Sequence, residues 1–385
     1  MLPLFYSLRN LGRFPWKTLQ MVLGSTIVVF LIVSASAFNR GITACLSVTG
    51  DPNNVIVLGA GSEESIQRSE IARIAPDILA SSVREIKRIL DKPAVSSEVY
   101  YMGTVALPDE PKKNRPALYR GVTWNALNVH RNVIITEGRF PGSSEVMVGR
   151  QVARHIGVKD SDLAIGKSIL FEGISYRIVG QFQGEGTMME AEFWMDINDL
   201  LTASKRETVS CAAISLSRPH DFEAISLFCM QRLDLELSAM REQDYYASLS
   251  NFYQPIRIGV WLTALLISIA AVFGGINTAY AAIIVRRREM AALQVIGCSR
   301  FSLIFSLLVE SSMINLMGAF ISLSLASVWL PSIHVSFSTG VFNMVFDNHT
   351  LTLGFLSAGI MAVAGIIMPA WGCLKPTIVS SLRST

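Results

Sequence analysis

Apolar and polar positions separate along this chain into four long blocks and one extended polar stretch. Residues 18–39, 258–285 and 351–374 carry no charge, and residues 301–330 are interrupted only by Glu310. A bilayer core about 30 Å thick is crossed by roughly 20 apolar residues in a helix. The pattern therefore predicts four transmembrane helices, one before and three after a polar stretch that could form one domain or two small ones. The 258–285 block would reach about 42 Å at about 1.5 Å per residue, more than the hydrocarbon thickness. Tilt would absorb the excess; continuation outward as a stalk is the preferred expectation. The first block follows Arg13 and Lys17 and ends in Ala35-Ser36-Ala37, which has the look of a signal-peptidase site. Its length is that of a span rather than of a shorter signal core, so a retained helix is expected.

Within the polar stretch, residues 53–59 (NNVIVLG) read as a short buried strand bounded by Pro52 and a glycine pair. Residues 82–90 place Val83, Ile86, Ile89 and Leu90 at helical spacing behind Ser82, an N-cap type. Residues 95–105 read as a strand, and 108–116 (PDEPKKNRP) as a proline-rich break. Further strands are expected at 132–136, 145–148, 167–171, 176–179 and 212–216, with helices at 150–156 and 221–233. Glu172-Gly173 suits a tight hairpin. Residues 240–252 then lead towards the second span, interrupted by Pro255. The fold class predicted is an α-helical membrane protein with four transmembrane helices (1+3) and a large α/β (α+β) extracytoplasmic domain inserted between helices 1 and 2.

Composition agrees with this division. Mean hydropathy is +0.42 and charged residues make up only 16% of the chain, below the quarter usual in soluble domains. The formal charge of +3 matters less than its placement. Arg9, Arg13, Lys17, Arg286, Arg287, Arg288, Arg300, Lys375 and Arg383 lie in short segments beside the spans, against one acid, Glu289. Short loops rich in Lys and Arg stay in the cytoplasm, so both termini and the 286–300 segment are expected there. This topology accounts for the basic balance without nucleic acid as a partner. The five cysteines include no C-x-x-C; a Cys211–Cys229 bond and two free buried thiols both remain open. The histidines show no metal-ligand spacing, and no G-x-S-x-G or H-E-x-x-H occurs, so neither a catalytic nor a metal site is expected.

Candidate chemistry concentrates at 286–300 (RRREMAALQVIGCSR). The arginines suit anionic lipid headgroups. Met290, Leu293 and Ile296 recur at a spacing of three on a predicted short helix, Gly297 can end it and Ser299 can cap the next. The helix is expected either to rest on headgroups or to dock a partner. Glu310 is the one acid inside a span, where charge is costly and faces protein or water; Ser311, Ser312 and Asn315 on neighbouring turns can share its contacts. A straight helix would put Glu310 near mid-depth; a helix that begins deep in the cytoplasm would put it near the headgroups. Gly274-Gly275 and Gly318 permit close helix approach. Met188 and Met189 are read as core positions ahead of an exposed partner-binding loop.

The segment VRRREMAALQVIGCSRFSLIFSLLVESSMINLMGAFISL resembles the C-terminal permease module of MacB/LolC/FtsX-type ABC transporters, with Arg286, Glu289, Leu293, Gly297, Ser299 and Glu310 at matching positions and Cys298 where alanine is usual. The closing Pro369-Ala370, Pro376 and Leu382 are similar to that module's end. EGRFPGSSEVMVGRQVARHIG and IGKSILFEGISYRIVGQF resemble the MacB-like extracytoplasmic domain. The resemblance implies a permease that binds no cofactor itself, with ATP and magnesium held by a cytoplasmic ABC ATPase. It implies coupling residues at Arg286, Arg288, Glu289, Met290, Leu293, Ile296, Gly297 and Ser299, and an intramembrane polar pair at Glu310 and Asn315. It also implies a second permease copy or paralogue, an adaptor and outer-membrane channel where an outer membrane exists, and an inner-membrane location. No G-x-x-x-x-G-K-[ST] occurs, so the ATPase is expected on another polypeptide. Substrate export or lipoprotein release is the leading expectation; an FtsX-like mechanotransmitter that activates a cell-wall hydrolase is the alternative. The expected boundaries are a cytoplasmic segment 1–18, spans at 19–39, 256–285 (with stalk), 301–330 and 351–374, the inserted domain 40–255, a coupling helix 286–300, an outer loop 331–350 and a cytoplasmic tail 375–385.

Overall fold

The computed structural model describes residues 12, 13, 15–337 and 340–374. Expectations placed on Arg9, Lys375, Pro376, Leu382 and Arg383 lie outside the described residues. The chain divides into a helical unit (Met1–Arg40, Pro255–Ile333, Met344–Thr385) and an inserted unit (Gly41–Gln254, His334–Asn343). In chain order the elements are α1 Pro15–Thr49, β1 Asn54–Gly59, α2 Ala75–Ser82, β2 Arg88–Ile89, β3 Lys92–Pro93, β4 Val95–Leu107, β5 Glu110–Val122 and α3 Ala126–Val129. They continue with β6 Ile134–Gly138, β7 Glu145–Gly149, α4 Val152–Ile156, β8 Ser168–Phe171, β9 Ile174–Gln183, β10 Glu192–Asp196, α5 Ile197–Ser204 and β11 Cys211–Ser215. The last are α6 Phe222–Gln231, β12 Leu237–Arg241, α7 Glu242–Phe252, α8 Gln254–Val285, α9 Arg287–Val295, α10 Arg300–Trp329, β13 His334–Phe337, β14 Gly340–Asn343 and α11 Asn348–Leu374.

Four of these helices, α1, α8, α10 and α11, are long and apolar enough to cross a membrane, in the 1+3 arrangement around the inserted domain. A stripe of Val29, Val33 and Ala37, four residues apart on α1, packs on Ala319, Leu323 and Ala326 of α10 and Ala358 of α11. The small side chains let backbones approach where lipid offers no hydrophobic drive for association. Gly318 shows how close: a Cβ there would lie 2.7 Å from Ser25 Oγ. Gly274 and Gly275 on α8, by contrast, have no neighbouring atom within 4 Å in that direction.

In the inserted unit, β4 is the joint. Its first residues pair with β11, from Val95 opposite Ile214 to Glu98 opposite Cys211. From Val99 onward it pairs with β5, and Val105 and Ala106 also pair with β8. Following β4–β5–β10–β7–β9–β8 back to β4 closes six strands on themselves, while β12–β1–β11 extends from the first half of β4. Period-two alternation sends Val99, Ala117, Tyr119, Phe193 and Met195 into the main apolar core. It sends Glu98, Arg120 and Glu192 to the other face.

There Arg120 is boxed in. It lies opposite Tyr100 on β4 and Trp194 on β10, so its guanidinium carbon sits 4.2 Å from one ring centroid and 5.5 Å from the other. Its Nε and Nη2 donate to the two Glu192 oxygens at 2.7 Å each, and Nη1 donates to Glu98 at 3.1 Å. Glu98 also meets His130 Nε2 at 2.7 Å. Glu242, the first residue of α7, lies 3.7 Å from His130 Nδ1 and accepts from Asn54 Nδ2 at 2.9 Å and from the Asp51 N–H at 3.1 Å. The network thus joins both parts of the sheet to the chain leaving α1 and to the helix that precedes α8. Burial alone would raise the Glu98 carboxyl, but the charges of His130 and Arg120 outweigh it and bring it down to about 2. Burial opposes protonation of His130, and Glu98 overcomes it, raising the imidazole above its usual value. Burial raises the Glu242 carboxyl, which His130 only partly offsets.

Several local expectations are corrected. The helix expected at 82–90 lies upstream: Pro76 occupies its first turn, a favoured position, and Ser82 is its last residue rather than a cap. Val83 and Ile86 are buried in extended chain instead. The break expected at 108–116 is the start of β5, whose exposed first half pairs only with β4, so Pro111 and Pro116 cost no ladder bond. The first helix does not stop at residue 39, because Arg40 is paired with Asp347 and Ile42, Cys45 and Leu46 bury a continuing face. The segment upstream of Pro255 is a separate helix, α7, ending before Tyr253. The 331–350 loop holds the β13–β14 hairpin, whose Phe337 and Phe342 ring Tyr253 at 5.3 and 5.4 Å. Cys211 and Cys229 are free, buried thiols, and Met188 and Met189 are buried. The Glu172-Gly173 hairpin forms with both residues at positive φ, 48° and 79°.

Because Glu98 is wholly buried, Glu98→Gln removes a buried charge shared by Arg120 and His130 and is expected to destabilise the domain by about 3–5 kcal/mol. Folded Glu98 titrates below its usual 4.5, so its contribution is present above about pH 4.5 and is lost as pH falls towards 2. Chemical denaturation of the purified chain in detergent, followed by tryptophan fluorescence across pH, should show this acid limb in the wild type and its reduction in the variant.

Candidate functional site

The segment between α8 and α10 is built by local rules. Arg286 leaves helical geometry at φ −96°, ψ 8°, and separates α8 from α9. Gly297 sits at φ +101°, a conformation that glycine alone adopts without strain, and it turns the chain after α9. Ser299 Oγ then accepts from the Ser302 N–H at 3.3 Å and caps α10.

The expected apolar row of α9 divides. Met290 and Ala291 are buried, and Met290 packs with Ala279, Ile283, Leu303, Leu307, Ile366 and Ala370. Leu293 is partly buried against the same cluster. Ile296 is 81% exposed and Val295 63%. The reason is geometric: each step of three residues falls about 60° short of a full turn at about 3.6 residues per turn, so a row spaced by threes winds off its face. Ile296 also lies one residue beyond the helix. Arg288 is exposed. The inner part of the row therefore fixes the segment to the bundle, and its last residues remain accessible.

Charge organises the same place. Arg286 Nη1 donates to Glu310 at 3.1 and 3.3 Å and lies 4.0 Å, from Nε, to Glu289. Glu289 receives a second cation, Arg13 Nη1, at 2.9 Å. Arg13 upstream of α1, the connector and α10 are thus linked by one chain of charges. Beyond it, Ser311 Oγ donates to the Ala362 carbonyl at 3.0 Å, and Asn315 Nδ2 donates to the Ser311 carbonyl at 2.9 Å and to its hydroxyl at 3.3 Å. Ser25 Oγ reaches the Asn315 carbonyl at 3.5 Å. Glu310, Asn315 and Arg286 border a cavity of about 340 Å³ among α1, α8, α10 and α11.

Sequence reasoning singled out Arg286, Glu289, Glu310 and Asn315, but it did not pair Arg286 with Glu310 or Arg13 with Glu289. Those partners lie 24 and 276 residues apart, and no periodicity signals such contacts. The Arg120 network in the inserted unit was missed altogether. Its only trace is that Glu98, Arg120 and Glu192 occupy alternate positions beside strongly apolar residues. Among the described residues, no group of His, Cys, Asp and Glu side chains is arranged to hold a metal ion.

Residues in direct contact couple energetically. A double-mutant cycle of Arg286→Ala and Glu310→Ala, read as thermal or chemical stability in detergent, is expected to give an interaction of roughly 0.5–3 kcal/mol. Gly318→Leu, which drives a side chain into Ser25, is expected to lower stability by about 1–3 kcal/mol in the same measurement.

Two family models match the chain. The MacB-like periplasmic core domain covers residues 18–226, and the FtsX-like permease C-terminal module covers residues 261–378. No curated protein matches it. Among solved structures, the periplasmic region of MacB from Actinobacillus actinomycetemcomitans is 13% identical, covering 55% of this chain and 98% of that one, with a TM-score of 0.39. The extracellular domain of the ABC-type transporter YknZ from Gram-positive bacteria is 14% identical, covering 49% of this chain and all of that one, with a TM-score of 0.37. With a MacB-like core domain inserted after its first membrane helix and an FtsX-like module formed by the last three, the chain belongs to the MacB/FtsX-like permease family.

Proposed function

We propose that this chain is the permease subunit of a MacB/LolC-like ABC transporter. ATP and magnesium are bound by a separate cytoplasmic ABC ATPase. That ATPase docks on the 286–300 segment, and its closure is relayed through the membrane helices to the inserted domain. The work done there is export of a hydrophobic or amphipathic substrate, or its extraction from the membrane. Both termini and α9 lie in the cytoplasm, by the same excess of Lys and Arg in short loops that orients other membrane proteins. A second copy of the chain completes the permease. The apolar surface of α8 is compatible with such a copy, since Ile258, Leu262, Leu265, Leu266, Ile269 and Phe273 are all exposed.

The observation that carries this reading is the division of α9. Met290 and Leu293 tie the helix to the cluster formed by α8, α10 and α11, so force applied to the segment is transmitted to the bundle. Val295 and Ile296 stay exposed at its far end, where an exposed apolar pair suits a partner's groove. Leu293 also packs inward, so substituting it would mix a folding defect with loss of docking. Ile296 is the cleaner test.

Ile296→Asp is expected to leave membrane insertion and thermal stability unchanged. It should weaken co-purification of the ATPase by roughly tenfold, the effect of about 1.4 kcal/mol at an interface, and should abolish stimulation of ATP hydrolysis by the permease. Pull-down from native membranes and ATPase assays in nanodiscs read both. Unchanged coupling in a stably inserted variant would make the segment only a connector.

A further inference from the structure

The inserted domain contains a cleft of about 770 Å³ between the turn that follows β1, strands β4 and β5, and α7. That volume lies within the range of about 300–1,000 Å³ typical of small-molecule sites. On α7, Tyr245, Leu249 and Phe252 recur at helical spacing and face it, with Tyr246 beside them; Tyr100 on β4 forms the opposing wall. Phe252 is 71% exposed, a large aromatic left open at the edge of a cavity.

Charge selects the occupant. The deep carboxylate, Glu192, already accepts two hydrogen bonds from Arg120 and one from Trp194 Nε1, and the guanidinium balances its charge. The rim is different: Glu63 and Glu64 face a single cation, Arg68. Glu63 is held ionised, below the usual carboxylate range, by hydrogen bonds from its own backbone N–H, the Ser238 hydroxyl and the Gly61 N–H. Burial pushes the phenols of Tyr100 and Tyr246 well above their usual values, so these walls stay neutral; the Tyr100 ring already carries the Arg120 guanidinium 4.2 Å from its centroid, which leaves Tyr246 and the exposed Phe252 as the rings a ligand can meet. Aromatic faces with a carboxylate at the mouth attract a cation with an apolar body, since the ring quadrupole adds to the Coulomb term. An amphipathic anion meets the same rings but an opposing rim.

We infer that this cleft is a binding site for an amphipathic organic cation, its apolar body against Tyr246 and Phe252 and its charge against Glu63 and Glu64. The inference deepens the permease reading, and rests on it only in calling the bound molecule a substrate.

The test uses the full chain in phosphatidylcholine nanodiscs, without ATPase, titrated against ethidium as a flat aromatic cation and followed by fluorescence anisotropy. Saturable binding absent from empty nanodiscs is expected. Glu63→Gln with Glu64→Gln should weaken it roughly tenfold, and Phe252→Ala should weaken it as well; Glu64 and Phe252 are exposed, and unchanged thermal unfolding of each variant separates lost binding from lost folding. Anilinonaphthalene sulfonate, an amphipathic anion, should displace ethidium poorly. Non-saturable binding, affinity indifferent to these substitutions, or equal competition by the anion overturns the proposal. Lost cleft binding with ATPase coupling intact would remove the cleft alone. Intact cleft binding with an Ile296→Asp variant that still couples would remove the docking role alone.

Discussion

Arg120 is the most constrained charge in the inserted domain. It is buried to 1% exposure, and two carboxylates and two aromatic rings account for its surroundings. A guanidinium out of water is tolerated only when its donors are met and its charge is balanced. The fixed fork of its N–H groups then dictates where Glu192 and Glu98 must sit. Glu98 occupies the residue at which β4 changes partners, so satisfying one arginine draws on the point where the two parts of the sheet meet. His130 and Glu242 pass the constraint on to the chain leaving α1 and to α7. An apolar cluster of equal volume would supply comparable stability, but it would not specify these partners so narrowly.

The helical unit solves a related problem with weaker means. Its helices are held by small residues in close contact and by a short run of charges, Arg13, Glu289, Arg286 and Glu310. The ion pairs are partly exposed, and such pairs are screened and individually modest. Their value is positional. They tie the short helix α9 to Arg13 before α1 and, through Arg286 at the end of α8, to Glu310 within α10, while Gly297 and Ser299 reset the chain direction.

Much of this was legible in residue order. Four apolar blocks marked four long helices, because a spanning helix must satisfy its own backbone and needs uninterrupted apolar surface. The Glu172-Gly173 hairpin, β1, the β4 strand and the reversal at Gly297 are local features whose causes lie within a few residues. The misplaced helix at 82–90 shows the limit of the same reasoning: Val83 and Ile86 match a helical period, but burial against distant strands decides their conformation. Pro111 and Pro116 looked like a break because the side of the strand that lacks a neighbour is visible only in the assembled sheet.

What sequence alone determined, then, was the membrane architecture, the family and the position of the connecting segment, since each follows from hydrophobic length, charge placement or short-range turn chemistry. What only the tertiary structure decided was which charges meet. Glu98 finds Arg120 through strand register, Glu242 finds His130 through the packing of α7, and Glu310 finds Arg286 through the return of the chain after α9. Electrostatic energy depends on distance and burial, and neither quantity exists until the chain has folded.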